Sequence, residues 1–219
     1  YARTFLDFLG SNTIFYLVLT LFFVQASWFV LSAGFPMLYD EFTHVKTIEL
    51  YSSQGGAFGL TQTAQDTQLL GDVTRTGSYL YYSLMSYAYS FILSVSGSFY
   101  VQIVFLRFLN VLMVLAGLVL YRKTLLAAKF SKKSINVAFL FVTSLPIFPY
   151  VSAHVNYDNL LFLFCAFFVH LGTRIIIQKK TSLPEIIGFI SVGLLGSVVK
   201  YSFLPVFFIG VLYVSLTLL

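Results

Sequence analysis

Three residues that can do acid–base or metal chemistry stand together just after the first apolar run of the chain. In the stretch FPMLYDEFTHVKTIELYSSQG, Asp40 and Glu41 are adjacent and His44 follows. In a helix that starts at Asp40, Asp40, His44 and Thr47 share one face, and Glu41 neighbours His44. A carboxylate there can act as a general base, and two acids with an imidazole can bind a divalent cation. The structural alternative makes Asp40 an N-cap and Glu41 a partner of the helix dipole.

A second polar group lies in the segment AHVNYDN, which precedes a later apolar run. It holds His154, Asn156 and Asp158 and contains no Lys or Arg. Asp158 comes at the start of the apolar run and is predicted to be its N-cap, a role that is compatible with a functional one. We expect these three residues to bind substrate or metal together with His44.

Basic residues near these two acidic groups predict a phosphate site, and the candidates are Arg107, Lys200 and Arg75. Arg107 lies inside an apolar run, where a charge is costly and usually has a partner or a function. A structural ion pair is therefore the alternative for Arg107. For Lys200, which stands at a helix end, the alternative is a side chain that reaches back to the membrane surface.

The composition indicates the kind of protein that must position these residues. Hydrophobic residues make up 58% of the 219 and charged residues 10%, whereas soluble domains carry roughly 25% charged residues. The apolar residues come in blocks of about 20, the length that crosses about 30 Å of hydrocarbon. We therefore expect an all-α polytopic membrane protein. The segments predicted to span are 13–33, 101–121, 135–153, 160–177, 186–199 and 201–219.

The charges of the loops predict the sidedness of these spans. The segment YRKTLLAAKFSKKS holds five basic residues and no acid, and Lys179 and Lys180 follow a later span. Both segments should be cytoplasmic, so the N-terminus is also cytoplasmic and the acidic loop 34–77 is external, as is the segment around Asp158. The net charge of +5 is then a topology signal and does not indicate a nucleic-acid partner.

The run from Ser78 to Val95 cannot cross under this topology, because only one crossing separates the external loop from Arg122. We expect it to lie along the outer face, with tyrosine rings in lipid and hydroxyls in water. A true span with a small-residue packing face is the alternative. In the preceding predicted helix, the side turned to the membrane would carry Phe42, Val45 and Ile48.

The order of these features resembles the GT-C superfamily of integral membrane glycosyltransferases. The closest resemblance is to an uncharacterised bacterial membrane family with a Pro-Asp-Glu-x-x-His motif in the first loop, followed by a Gly. Here Tyr39 replaces the proline of that motif and Gly55 follows it; SYLYY stands where the family has PPLYY. The runs RFLNVLMVLAGLVLYR and NYDNLLFLF are also similar to the family.

The resemblance implies a fold and a reaction. It implies one transmembrane module over residues 1–219, continuing beyond 219, with an external loop at 34–100 and five spans in 101–219. Two juxtamembrane helices are expected in that loop, at His44–Ser52 and Ser78–Val95. The enzyme would take a sugar from a polyprenyl-phosphate carrier and give it to a glycan, lipid or protein acceptor. A bacterial plasma membrane is the expected location.

Carried over by position, the resemblance makes Asp40 the general base on the acceptor hydroxyl. Glu41 and His44 would orient Asp40 or hold a divalent metal such as Mg²⁺ or Mn²⁺, and Asp158 would be the second acid of the site. The other class of function left open is a transporter, a flippase or a non-catalytic subunit of an envelope glycan pathway. A transporter should place its charged or broken-helix site near the middle of the membrane.

Overall fold

The computed structural model describes residues 8–54, 63, 66, 68, 70, 79–178 and 182–218, and every regular element in them is helical. The long helices are α1 (Asn12–Ser32), α4 (Phe99–Ala127), α7 (Tyr157–Gln178) and α9 (Leu204–Leu218), the last preceded by a 3₁₀ turn at Tyr201–Phe203. The shorter ones are α2 (Glu41–Ser53), α3 (Tyr79–Val95), α5 (Lys132–Ser144), α6 (Ile147–Ser152) and α8 (Leu183–Val199).

Four of the described segments are long and apolar enough to cross a membrane: Asn12–Ser32, Phe99–Ala127, Tyr157–Gln178 and Tyr201–Leu218. They match four of the six predicted spans, and the apolar helix α8 is shorter, with 17 residues. The chain therefore has the make-up of an all-helical membrane protein.

The predicted span at 135–153 is not one helix. The structure divides it into α5 and α6, with Leu145 in an extended conformation before Pro146. Proline disfavours helical geometry in the residue before it and lacks the N–H that would continue the ladder. The two pieces nevertheless follow α1 along its length, since Phe139 packs on Phe15 and Tyr150 packs on Phe29.

Contacts between the long helices define two ends of the bundle. Helices α1 and α4 are antiparallel, because Arg122 bonds Asn12 at 2.7 Å while Tyr100 bonds the Leu31 carbonyl at 3.0 Å. Helices α4 and α7 are parallel: Asn110 meets Asn159, and further along Thr124 meets His170.

We call the end with Asp40, Tyr157 and Lys200 the site end, and the end with Asn12 and Arg122 the basic end. The loop charges predicted that the two acidic groups and the segment Arg122–Lys133 lie on opposite sides of the membrane, and in the bundle they lie at opposite ends. Lys179 and Lys180 lie outside the described residues.

The hairpin of α8 and α9 packs closely, as the glycines of α8 predict. A Cβ on Gly196 would come within 2.9 Å of the Phe203 ring, so this position has no room for a side chain. Helix α8 in turn packs antiparallel to α7, with Phe168 and Phe189 stacked at 4.3 Å between ring centroids. This packing carries Lys200, at the end of α8, back to the site end.

Both helices predicted in the first loop are present, but their burial differs from the prediction. Val45 and Ile48 of α2 are completely buried against α3 rather than turned outward. Of the tyrosines predicted to face lipid and water, Tyr81, Tyr82 and Tyr89 are buried in the same cluster, whereas Tyr87 is exposed. Helices α2 and α3 pack against each other and against α4, so their apolar positions serve the protein core. Whether α3 lies along the membrane surface stays a prediction.

Candidate functional site

Asp40 stands at the N-cap position of α2, but its side chain makes no capping hydrogen bond. Its Oδ1 instead accepts a hydrogen bond from His154 Nε2, at 3.0 Å. The carboxylate is 53% exposed, whereas the His154 ring is buried. The N-cap alternative therefore does not describe what this side chain contacts, and the structure joins the two polar groups predicted from the sequence.

His44 approaches the other oxygen of the same carboxylate. Its Nε2 lies 3.5 Å from Asp40 Oδ2, an ion-pair distance without hydrogen-bond geometry. On its far side, His44 Nδ1 and the Tyr82 hydroxyl are 2.8 Å apart. The Tyr157 ring meets the His44 ring edge-on, with centroids 5.0 Å apart. Asp40 thus covers two buried imidazoles and keeps one side open to the outside of the protein.

The protonation of the cluster follows from burial and charge. Burial lowers the pKa of His44 to about 4, because a charged imidazole loses its hydration there. Partial burial of Asp40 opposes ionisation, but the electrostatic attraction and hydrogen bond of His154, helped by His44, outweigh it and lower the pKa of the Asp40 carboxyl. At neutral pH the cluster therefore presents a carboxylate, which can accept a proton or attract a positive centre.

The second acid, Asp158, pairs with Lys200 at 2.8 Å, and both side chains are partly exposed. Lys200 Nζ also lies 4.9 Å from the centre of the Tyr157 ring. Partial burial disfavours the charged amine, but the hydrogen bond and charge of Asp158 outweigh this and raise the pKa of Lys200. The Tyr157 ring therefore lies between two groups of site residues: His44, beside Asp40, is on one side, and Lys200, paired with Asp158, is on the other.

The prediction that Asp158 caps α7 was wrong. Helix α7 begins at Tyr157, so Asp158 lies in its first turn, and the Asn156 side chain accepts the Asp158 backbone N–H at 2.8 Å. The amide of Asn156 thus does the capping, which fits the preference of Asn for that position. A carboxylate in the first turn remains favourable because of the helix dipole.

Glu41 and Arg107 form a buried ion pair. Arg107 donates to both carboxylate oxygens, from Nε at 2.8 Å and from Nη2 at 2.7 Å. Its remaining N–H groups bond the last carbonyls of α1 and the loop after it, those of Val30, Ala33 and Gly34. Glu41 also accepts the backbone N–H groups of Met37 and Val155.

This pair corrects two predicted roles. Glu41 is fully buried, and its oxygens are already engaged by four donors, so it is not placed to touch a substrate. Arg107 is 1% exposed, and all of its N–H groups are occupied, so it has none to offer a carrier phosphate. Arg107 forms a structural ion pair, which is the alternative given for it in the sequence analysis. Arg75 lies outside the described residues.

A buried amide network beside the pair was not predicted. Asn110 Oδ1 accepts from the Tyr81 hydroxyl at 3.1 Å and from Asn159 Nδ2 at 3.2 Å. Asn159 Nδ2 also donates to the His154 carbonyl, at 3.0 Å. One signal was present in the sequence: Asn110 follows Arg107 by three residues in an apolar run, which places both on one helical face. The network fixes the backbone that carries His154.

A metal remains a prediction. Among the described residues, no three His, Cys, Asp or Glu side chains form a group that could hold a metal ion. In the cluster of Asp40, His44 and His154, the hydrogen bond between Asp40 and His154 uses one of the atoms that a metal would need.

Comparisons of the chain with models of protein families, with curated proteins and with solved structures found no match. The resemblance to GT-C enzymes therefore rests on the motifs quoted above, and a function for the chain is inferred from the geometry of the site.

Proposed function

We propose that the protein is a membrane glycosyltransferase. It moves a sugar from a polyprenyl-phosphate carrier to a hydroxyl of a glycan, lipid or protein acceptor, at the site end of the bundle and on the external face. The observation that supports this best is the half-exposed carboxylate of Asp40, which is bonded by the buried His154 and flanked by the buried His44 at the end opposite the basic segment.

Asp40 is the general base in this proposal. As the acceptor oxygen bonds to the anomeric carbon, its proton passes to Asp40. The bond from the anomeric carbon to the carrier phosphate breaks, and its electrons leave with the phosphate. A carboxylate that is ionised at neutral pH suits this step, because a phosphate is a good leaving group and the base need not be strong.

Lys200 is the cation that we assign to the carrier phosphate. Its side chain is partly exposed at the site end, and it pairs with Asp158, which is also partly exposed. A phosphate that enters the site can compete with the Asp158 carboxylate for this ammonium group. Glu41 and Arg107 stay outside the chemistry and hold α2 against α4.

A transporter or flippase is the second candidate. The interruption between α5 and α6 favours it, since broken helices often line the binding sites of transporters. The titratable cluster, by contrast, lies at an end of the bundle. A site that faces one end suits an enzyme better than a carrier that must serve both sides.

The test is sugar transfer in reconstituted membranes that carry the full-length protein, with a panel of polyprenyl-phosphate sugars and acceptors. We expect Asp40→Asn to lower kcat by about 100-fold to 10,000-fold, the usual contribution of a general base. The melting temperature should stay near that of the wild type, because the replaced carboxylate is half exposed. Asp66→Asn is the matched control, since Asp66 accepts hydrogen bonds from Thr63 away from the cluster.

Other outcomes redirect the proposal. Transfer that survives in Asp40→Asn would remove Asp40 as the base and leave Asp158 as the exposed acid of the site. Carrier lipid that crosses vesicle membranes without any sugar transfer would support the transporter class instead.

A further inference from the structure

We propose that His154 is a positioning residue: it holds Oδ1 of Asp40 and thereby leaves Oδ2 as the oxygen that takes the acceptor proton. This inference rests on the proposed function, in which Asp40 is the base. It assigns His154 a role and names the oxygen of Asp40 that takes the proton, which the sequence motif does not distinguish.

His154 is held rigidly by its surroundings. Its side chain is 1% exposed, and its Nε2 lies 3.0 Å from Asp40 Oδ1. Its carbonyl accepts the Asn159 amide, and the next backbone N–H, that of Val155, donates to the buried Glu41. The segment that carries the imidazole is therefore bonded to α7 and to the start of α2. A ring held in this way can fix the carboxylate that it bonds.

The direction of the hydrogen bond between His154 and Asp40 follows from the surroundings of the His154 ring. The other ring nitrogen, Nδ1, is buried and has no hydrogen-bond partner in the described part of the chain. A proton on Nδ1 would lack an acceptor, and the lone pair of Nε2 would then face an oxygen of Asp40, which can only accept. The tautomer with its proton on Nε2 is favoured, and Nε2–H then donates to Asp40. A donated hydrogen bond also favours the ionised carboxylate that a base requires.

The two carboxylate oxygens of Asp40 differ in their contacts. Oδ1 is engaged by His154, whereas Oδ2 lies 3.5 Å from His44 Nε2 and is not hydrogen-bonded to it. His44 is occupied on its other side by Tyr82. Oδ2 of a half-exposed carboxylate is therefore the atom that can meet a hydroxyl from outside. The proton moves from the acceptor oxygen to Oδ2, while the sugar–phosphate bond breaks toward the phosphate.

The experiment compares His154→Phe with His154→Gln in the reconstituted full-length protein. Phe keeps the ring but removes the donor, whereas the Gln amide can place an N–H near the position of Nε2. We expect His154→Phe to lower kcat by about 100-fold with KM nearly unchanged, because a misplaced base affects the transition state. His154→Gln should recover most of that loss. His170→Phe is the control, since His170 bonds Thr124 toward the basic end.

A spectroscopic readout makes the test independent of turnover. The carboxylate stretching bands of Asp40 can be isolated as the infrared difference between wild type and Asp40→Asn at neutral pH. We expect these bands to shift in His154→Phe and to return toward their wild-type position in His154→Gln. His154→Gln also covers the case in which the phenylalanine variant does not fold.

The outcomes separate this inference from the proposed function. Equal loss of kcat in both variants, with unshifted carboxylate bands, would mean that His154 serves only the fold, and the inference would be wrong. Shifted bands would show that His154 bonds Asp40. If no donor gave sugar transfer in the same protein, both the proposed glycosyltransferase function and the positioning role of His154 would be wrong. Shifted bands, a loss confined to kcat and rescue by Gln would support the inference.

Discussion

Asp40 and Glu41 are adjacent in the chain, yet their carboxylates have opposite surroundings. Glu41 is fully buried and accepts four hydrogen bonds, two of them from Arg107. Asp40 is half exposed and accepts one hydrogen bond, from His154. The difference arises because Glu41 begins the first turn of α2 and turns toward α4, while Asp40 stands just before that turn.

Of the two adjacent acids, Glu41 is therefore structural and Asp40 is available for chemistry. A buried carboxylate is tolerated only with a paired charge and bonded oxygens, and those same bonds remove it from contact with substrate. The buried pair ties the end of α1, the start of α2 and α4 together. It thereby sets where Asp40 lies, so the two carboxylates have different tasks in one arrangement.

The largest effect on stability is expected from breaking the buried pair. Arg107→Met should lower the free energy of unfolding by about 3–5 kcal/mol, because it leaves the Glu41 carboxylate buried without its cation. Thermal or denaturant unfolding in detergent would measure the loss. The double variant Arg107→Met with Glu41→Gln should recover much of it, since no bare charge remains.

Arg122→Met is the matched control for Arg107. Arg122 also lies in α4, but its bond to Asn12 is exposed, at the basic end. Its guanidinium also lies 4.0 Å from the centre of the Phe15 ring, so its removal should lower the free energy of unfolding by about 1–2 kcal/mol, less than for Arg107. Equal losses in the two arginine variants would contradict the distinction drawn between buried and exposed charge.

A smaller effect, dependent on pH, is expected at His44. Its pKa is lowered from 6.5 to about 4 by burial, so below pH 6.5 the unfolded chain binds a proton that the folded chain does not. Stability is fully present above about pH 6.5 and falls as the pH drops toward 4, by about 3 kcal/mol. Unfolding curves at a series of pH values would show this slope.

The variant His44→Asn removes this titration while an amide can still reach the Tyr82 hydroxyl. Its stability should therefore depend less on pH between 6.5 and 4 than that of the wild type. An unchanged slope would mean that His44 is as accessible to protons in the folded chain as in the unfolded one, and that the buried description of this side of the cluster is wrong.

The smallest effect on stability is expected at the exposed half of the site. Lys200→Met should change the free energy of unfolding by no more than about 1 kcal/mol, because the pair with Asp158 is partly exposed. Lys46→Met is a close control, since its pair with Glu49 has a lysine that is 34% exposed, against 32% for Lys200. If Lys200 binds the carrier phosphate, only Lys200→Met should raise KM for the carrier.

Much of the fold could be predicted from patterns in the chain. The four long spans follow from apolar runs of membrane length, and the start of α2 follows from the change in composition at Asp40. Pro146 indicated a break in the predicted span at 135–153. One proline, however, changes the mean hydropathy of a long apolar window very little, so the span was predicted as continuous. The outward placement of Val45 and Ile48 was wrong because periodicity shows which residues share a face and does not show which neighbour covers it.

The residues of the candidate site could be predicted from the sequence, but the contacts between their side chains could not. Asp40, His44, His154, Asp158 and Lys200 all lie at one end of the bundle, as the loop charges indicated. The bond between Asp40 and His154 joins residues 114 positions apart, and no local pattern contains that pairing.

Composition and hydrophobic run length decide that the chain is helical and suited to a membrane, because crossing hydrocarbon requires helices of a set length. Loop charge decides which segments share an end of the bundle. Packing decides the rest: Arg107 reaches Glu41 and not a ligand, Asn156 and not Asp158 caps α7, and one carboxylate of an adjacent pair stays open. These outcomes depend on which side chains can be desolvated together, a property of the assembled helices and not of any one segment.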